Sequence, residues 1–168
     1  MKRQVIITKK ALHIICQCVL EADNNFETAD ALLEILFGID NATQIYFVVA
    51  PTTSNAGENS SRVSFLLDGV EHTQKANEIV KSGFMWLPSL LGVWHSHICD
   101  GHSFSRQDKI SNTVLAKSFN GILSMLVTQS AHTILFSASY ISTEGIAEDC
   151  AIRFQKGVGL EVKVHEQK

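Results

Sequence analysis

The stretch VWHSHICDGHSFSRQDK, residues 93–109, holds three histidines, a cysteine and two aspartates. His95 and His97 close an apolar run, two positions apart. On a strand, residues i and i+2 point to the same face, so two imidazoles there can share one metal ion. Of the carboxylates that follow, Asp100 falls in a turn and Asp108 at the start of a helical segment, which is the more rigid mount. Two nitrogens and one oxygen leave one coordination position open, the pattern of a catalytic zinc site and not of a closed structural one. A cation held in that way lowers the pKa of its water toward neutrality, which makes a nucleophile available for hydrolysis.

The same residues allow other readings. Ser105-Arg106-Gln107-Asp108 has the form of a capping box, serine at the N-cap with a carboxylate three residues on, and that job needs no metal. A second metal reading takes Cys99 and His102 with the two histidines into a closed four-ligand site. All four ligands would then lie within eight residues, whereas structural zinc usually draws two pairs from separate segments.

The pattern of apolar residues sets the elements that must carry these groups. RQVIITK reads as a short strand. Thr8 reads as the N-cap of a helix through about Ala22, with Leu12, Ile15, Val19 and Leu20 near helical spacing. ALLEILFGIDNATQIYFVVAP, residues 31–51, predicts two strands joined by a turn around Asp40 and Asn41. RVSFLLD predicts another strand, and GVEHTQKANEIVKSG an amphipathic helix closed by Gly83. LLGVWHSH is a buried strand ending on the two histidines. SRQDKISNTVLAKSFNG is a helix ending at Gly121, and ILSMLVT and HTILFSASYI are strands. AIRFQ and LEVKVHE predict a closing hairpin. Strands outnumber helices and the two are mixed, so the fold class is α/β or α+β. APTTSNAGENSSR, residues 50–62, reads as a long surface loop of the kind that is often functional.

Composition narrows the classes of function. The chain has 168 residues, 45% hydrophobic and 18% charged, with a formal charge of −3. That length predicts one domain, residues 1–168, with a core of its own. The acidic balance and the lack of a basic stripe argue against a nucleic-acid partner. No apolar run approaches the ~20 residues that a membrane-spanning helix requires. Lys9 and Lys10 interrupt the N-terminal apolar positions, so no secretory signal is read. The four cysteines, Cys16, Cys18, Cys99 and Cys150, form no secreted scaffold pattern, and the expected location is a reducing cytoplasm.

HSHICDGHSFSRQD fits H-x-H-x7-S-x-x-D without a gap, and in this it resembles the JAMM signature of the JAB/MPN metalloprotease family. The motif fixes four residues over fourteen positions. ETADALLE, residues 27–34, is similar to the family's E-T-G-G-x-L-L-G segment, with Ala29, Asp30 and Glu34 standing where glycines are usual. Ile98 replaces the proline that typically follows H-x-H. The resemblance runs from about residue 5 to 142. It implies a single MPN-like domain with a curved mixed sheet flanked by helices, related in layout to cytidine deaminase.

The resemblance also implies an activity, hydrolysis of an amide with one zinc ion per chain. His95, His97 and Asp108 would hold the metal. Glu27 would move a proton from the attacking water to the leaving amine, with Glu34 as the alternative. Ser105 would bind the developing oxyanion. The chain is most similar to stand-alone prokaryotic members that accompany ubiquitin-activating-like and conjugating-like enzymes, some of them in antiphage systems. The implied substrate is therefore a ubiquitin-like protein or its conjugate. The alternative is a catalytically silent scaffold of the same fold that binds protein. A zinc nucleoside deaminase would require H-x-E with P-C-x-x-C downstream, and the chain has neither. A DNA-associated member of the wider family is disfavoured by the acidic balance.

Overall fold

A computed structural model describes residues 2–23, 34–41, 44–51, 89–97, 103–130, 133–155 and 163–164. Within them the chain forms two helices and nine strands of a mixed α/β architecture. The elements are β1 (Gln4–Ile7), α1 (Lys9–Asp23), β2 (Glu34–Asn41), β3 (Ile45–Pro51), β4 (Ser89–His97), α2 (Arg106–Phe119), β5 (Ile122–Ser130), β6 (Thr133–Ile141), β7 (Ala147–Asp149), β8 (Ala151–Phe154) and β9 (Lys163–Val164). The predicted strand at 62–68 and the predicted helix at 69–83 lie outside the described residues. None of the described helices is long and apolar enough to cross a membrane.

The strands follow the path β7-β6-β5-β4-β2-β3-β1-β8, with β9 added beside β6. The antiparallel pairs β2–β3, β5–β6 and β6–β7 unite strands consecutive in the chain, and β2–β4 unites strands with β3 between them in sequence. The parallel pair β4–β5 needs a crossover, and α2 supplies it. This crossover lays α2 along the face of the sheet that bears His95.

Each face of the sheet has its own apolar cluster. One gathers Val5, Ile7, Leu12, Ile15, Trp94, Met125 and Phe136 beneath α1. The other joins Val93, Ile122 and Ile141 to Leu115 and Ala116 of α2. Alternation along β4 explains the division, since Val93 and Trp94 are successive residues on opposite faces. Each fully buried Leu, Ile or Phe contributes about 1.5–3 kcal/mol, so both helices are held by their apolar stripes. Burial also raises the Cys16 thiol and pushes the Cys150 thiol up to about 11, which keeps both protonated and unreactive.

The first helix starts where its cap predicts, with the Ala11 amide donating to Thr8 Oγ1 at 3.3 Å. Its buried face keeps Leu12, Ile15 and Val19 of the expected stripe, gains Ala11 and Cys16, and loses Leu20. Ala11, Leu12, Ile15, Cys16 and Val19 are buried, while Leu20 is 49% exposed. β2 runs on through Asn41, and Gln44, at φ 63°, precedes β3. The expected closing hairpin does not form. β8 instead pairs parallel with β1, and β9 pairs parallel with β6. Both segments have strand character, but β8 pairs along its whole length with the equally long β1 and β9 with the nine-residue β6. β7 was not anticipated at all, because its three residues are exposed and carry no apolar alternation.

Candidate metal centre

β4 lies inside the sheet, between β2 and β5. Its register with β2 shifts between Leu36 and Phe37, which pair with Gly92 and Leu90 and leave Leu91 as an extra residue. From Gly92 onward the alternation is regular, so Val93, His95 and His97 share the α2 face. His95 is 1% exposed, and His97, at the strand's open end, is 15% exposed in its side chain.

The opposing carboxylate is set by the start of α2. Ser105 is the N-cap, with φ −65° and ψ 168°. Its Oγ accepts from the Asp108 amide at 3.1 Å, and its own amide donates to Asp108 Oδ2 at 2.6 Å. This reciprocal capping box satisfies two otherwise orphaned donors. It also fixes the rotamer of Asp108 and aims the carboxylate at β4. The helix N-terminus adds a favourable field for negative charge there.

The result is a compact cluster. His95 Nε2 lies 3.3 Å from Asp108 Oδ1, and His97 Nε2 lies 3.4 Å from Asp108 Oδ2. One ligand atom from each of the three residues falls within 4.8 Å of the others. The imidazole centroids are 5.0 Å apart, and Phe104 closes one side with its ring 5.9 Å from that of His95. Burial opposes ionisation of Asp108. His95 beside it and Ser105, whose amide donates to Oδ2, prevail and hold its carboxyl well below the usual carboxylate range.

The donor set suits a divalent cation. Ligands about 2.1 Å from a tetrahedral zinc are ~3.4 Å from one another; each Nε2 has about that spacing to one Asp108 oxygen, His95 to Oδ1 and His97 to Oδ2. A second observation agrees. Both ring nitrogens of His95 are buried without a hydrogen-bond partner among the described residues, although Asp108 is close by. Buried polar atoms are normally satisfied, and Nε2 aimed at a carboxylate without aligned hydrogen bonding is the arrangement of a ligand. His95, His97 and Asp108 therefore form a group that can hold a metal ion.

Of the residues singled out from the sequence, the fold brings these three together and places Ser105 at the rim. The capping reading of Ser105 and Asp108 holds, and it coexists with the metal reading: the cap engages Asp108 Oδ2, while Oδ1 lies against His95. Glu27, Cys99 and His102 lie outside the described residues. Glu34 opens β2 at the register level of Trp94, not of either histidine. Two neighbours of the cluster escaped the sequence reading. Phe104 gave no signal, since an aromatic before an N-cap has no fixed meaning. Asn112 could have been found, because it follows Asp108 by four residues and so shares its helix face. No family model and no curated protein matches the chain.

Proposed function

We propose that the chain is a zinc-dependent isopeptidase of the JAMM type. Its reaction is hydrolysis of the amide bond after the C-terminus of a ubiquitin-like protein, in a conjugate or a precursor. The observation that carries this reading is the convergence of His95, His97 and Asp108, from a strand end and a helix start, on one small volume. The substrate class rests on the resemblance of the motif alone. So do the location in a prokaryotic conjugation system, antiphage defence included, and the partnership with activating-like and conjugating-like enzymes.

Zinc at this site would supply Lewis acidity to an amide carbonyl and ease the ionisation of water. The protein's own groups divide the remaining work. The Ser105 amide keeps Asp108 ionised and oriented. Ser105 Oγ is an acceptor in the cap, which leaves its single proton to donate to a carbonyl oxygen as negative charge develops there. Glu27 takes a proton from water and returns it to the departing amine. Phe104 and the buried strand limit water around His95.

Metal content of the purified protein and of Asp108→Ala and Glu27→Gln, followed by cleavage of ubiquitin-like conjugates, tests the proposal. The expected outcome is about one zinc per chain in wild type, reduced in Asp108→Ala. Glu27→Gln should keep the metal and lose turnover. Wild-type protein that takes up no metal after zinc reloading would overturn the reading in favour of a silent protein-binding scaffold.

A further inference from the structure

Three buried polar atoms between α2 and the sheet have no hydrogen-bond partner among the described residues: the His95 Nδ1, the Asn112 Oδ1 and the Ser124 Oγ. They are complementary in kind. A histidine that ligates through Nε2 carries its proton on Nδ1 and needs an acceptor there, and a carboxamide oxygen is an acceptor with two lone pairs.

Their placement is also complementary. Asn112 is 3% exposed and lies on the buried face of α2 with Leu115 and Ala116. At one end of that face Asp108 meets His95 at 3.3 Å. At the other end Leu115 and Ala116 pack with Val93. α2 thus runs back along β4, and Asn112, midway between Asp108 and Leu115, lies opposite the span from His95 to Val93. Ser124 is the register partner of Val93 on β5 and shares its face.

We propose that Asn112 is a positioning residue of the metal centre: the three atoms make no hydrogen bond to one another in this structure, and a turn of the Asn112 carboxamide lets its Oδ1 accept the Nδ1–H of His95, with the Ser124 hydroxyl donating to the same oxygen. This inference rests on the metal-centre reading above. The bond selects the His95 tautomer that exposes the Nε2 lone pair to a cation and locks the ring against rotation. Burial makes the arrangement selective, since water cannot substitute for the acceptor.

Zinc affinity by chelator competition at neutral pH, measured on wild type, Asn112→Leu and Asn112→Asp, tests it, with thermal melts of the metal-free proteins alongside. Asn112→Leu keeps the volume and removes the acceptor, so zinc binding should weaken ~10–100-fold. Asn112→Asp restores an acceptor oxygen and should bind at least as tightly as wild type. A purely structural asparagine would not show rescue by aspartate. Wild type that binds zinc while Asn112→Leu binds within about twofold of it would overturn the role of Asn112 and leave the metal centre standing. Wild type that binds no zinc would overturn the metal reading itself, and this inference with it. If Asn112→Leu does not fold, Asn112→Asp decides alone: an affinity tenfold or more below wild type would refute the role.

Discussion

At the scale of single residues, Ser105 caps a helix and holds a candidate metal ligand through separate atoms. Its hydroxyl oxygen caps α2 by accepting from the Asp108 amide. The backbone N–H of Ser105, not the hydroxyl, holds Asp108 Oδ2. Ser105→Ala should therefore cost about 1 kcal/mol in urea denaturation of the metal-free protein. It should still bind metal, because the contact that aims Asp108 survives. Unchanged stability would mean that the hydroxyl does not cap the helix. Loss of metal would mean that the side chain, and not the amide, positions the carboxylate.

At the scale of elements, the site depends on how closely β4 and β5 approach while α2 spans them. Gly92 pairs with Leu123 in the parallel register. A Cβ built on Gly92 would collide with the Leu123 carbonyl oxygen and its neighbouring backbone atoms. Backbone cannot turn aside as a side-chain tip can, so the two strands would have to separate. His95 and His97 are further along the same strand, and α2 is anchored over both. Gly92→Ala should thus destabilise by about 3 kcal/mol or more and weaken metal binding together with stability. Circular dichroism melts and zinc titration of the variant would check this. A melt equal to wild type would show that the strand pair tolerates the methyl group.

At the scale of the whole molecule, the chain ties together the two ends of the strand path. β7 and β8 end that path at opposite sides, yet only Cys150 separates them in sequence. Arg3 links the strands around this junction. Its guanidinium stacks 3.9 Å from the centroid of Tyr140 on β6, donates to Tyr46 Oη on β3 at 2.8 Å, and pairs with Glu148 on β7 at 2.9 Å. Its carbonyl accepts from the Ala151 amide at the start of β8. The ion pair itself adds little, since Glu148 is 60% exposed. The stacking and the hydrogen bond to Tyr46 are each worth roughly 1 kcal/mol. Arg3→Ala should lose about 2 kcal/mol by chemical denaturation, the sum of those two, and Arg3→Lys should recover only part of it, because an ammonium lacks the planar face that stacks on Tyr140. Full recovery in the lysine variant would show that charge alone matters there.

Several features were legible in the sequence because they are encoded by local spacing. The i, i+2 pair His95 and His97 could only share a face if 90–97 was a strand, and the apolar run made it one. Ser105 and Asp108 declared a helix start by capping chemistry, and Thr8 did the same for α1. Spacing could not settle which partners the short strands at 151–154 and 163–164 would take, nor reveal β7, because pairing is a competition among edges that are distant in sequence. Nor could it decide that the capping carboxylate and the two histidines belong to one cluster. That outcome required the β4–α2–β5 crossover, which folds the helix start back over the strand end. The sequence alone determined which groups could bind a metal. Only the tertiary structure decided that they meet, because bringing them within 4.8 Å of one another is the work of sheet pairing and helix packing, not of chain neighbours.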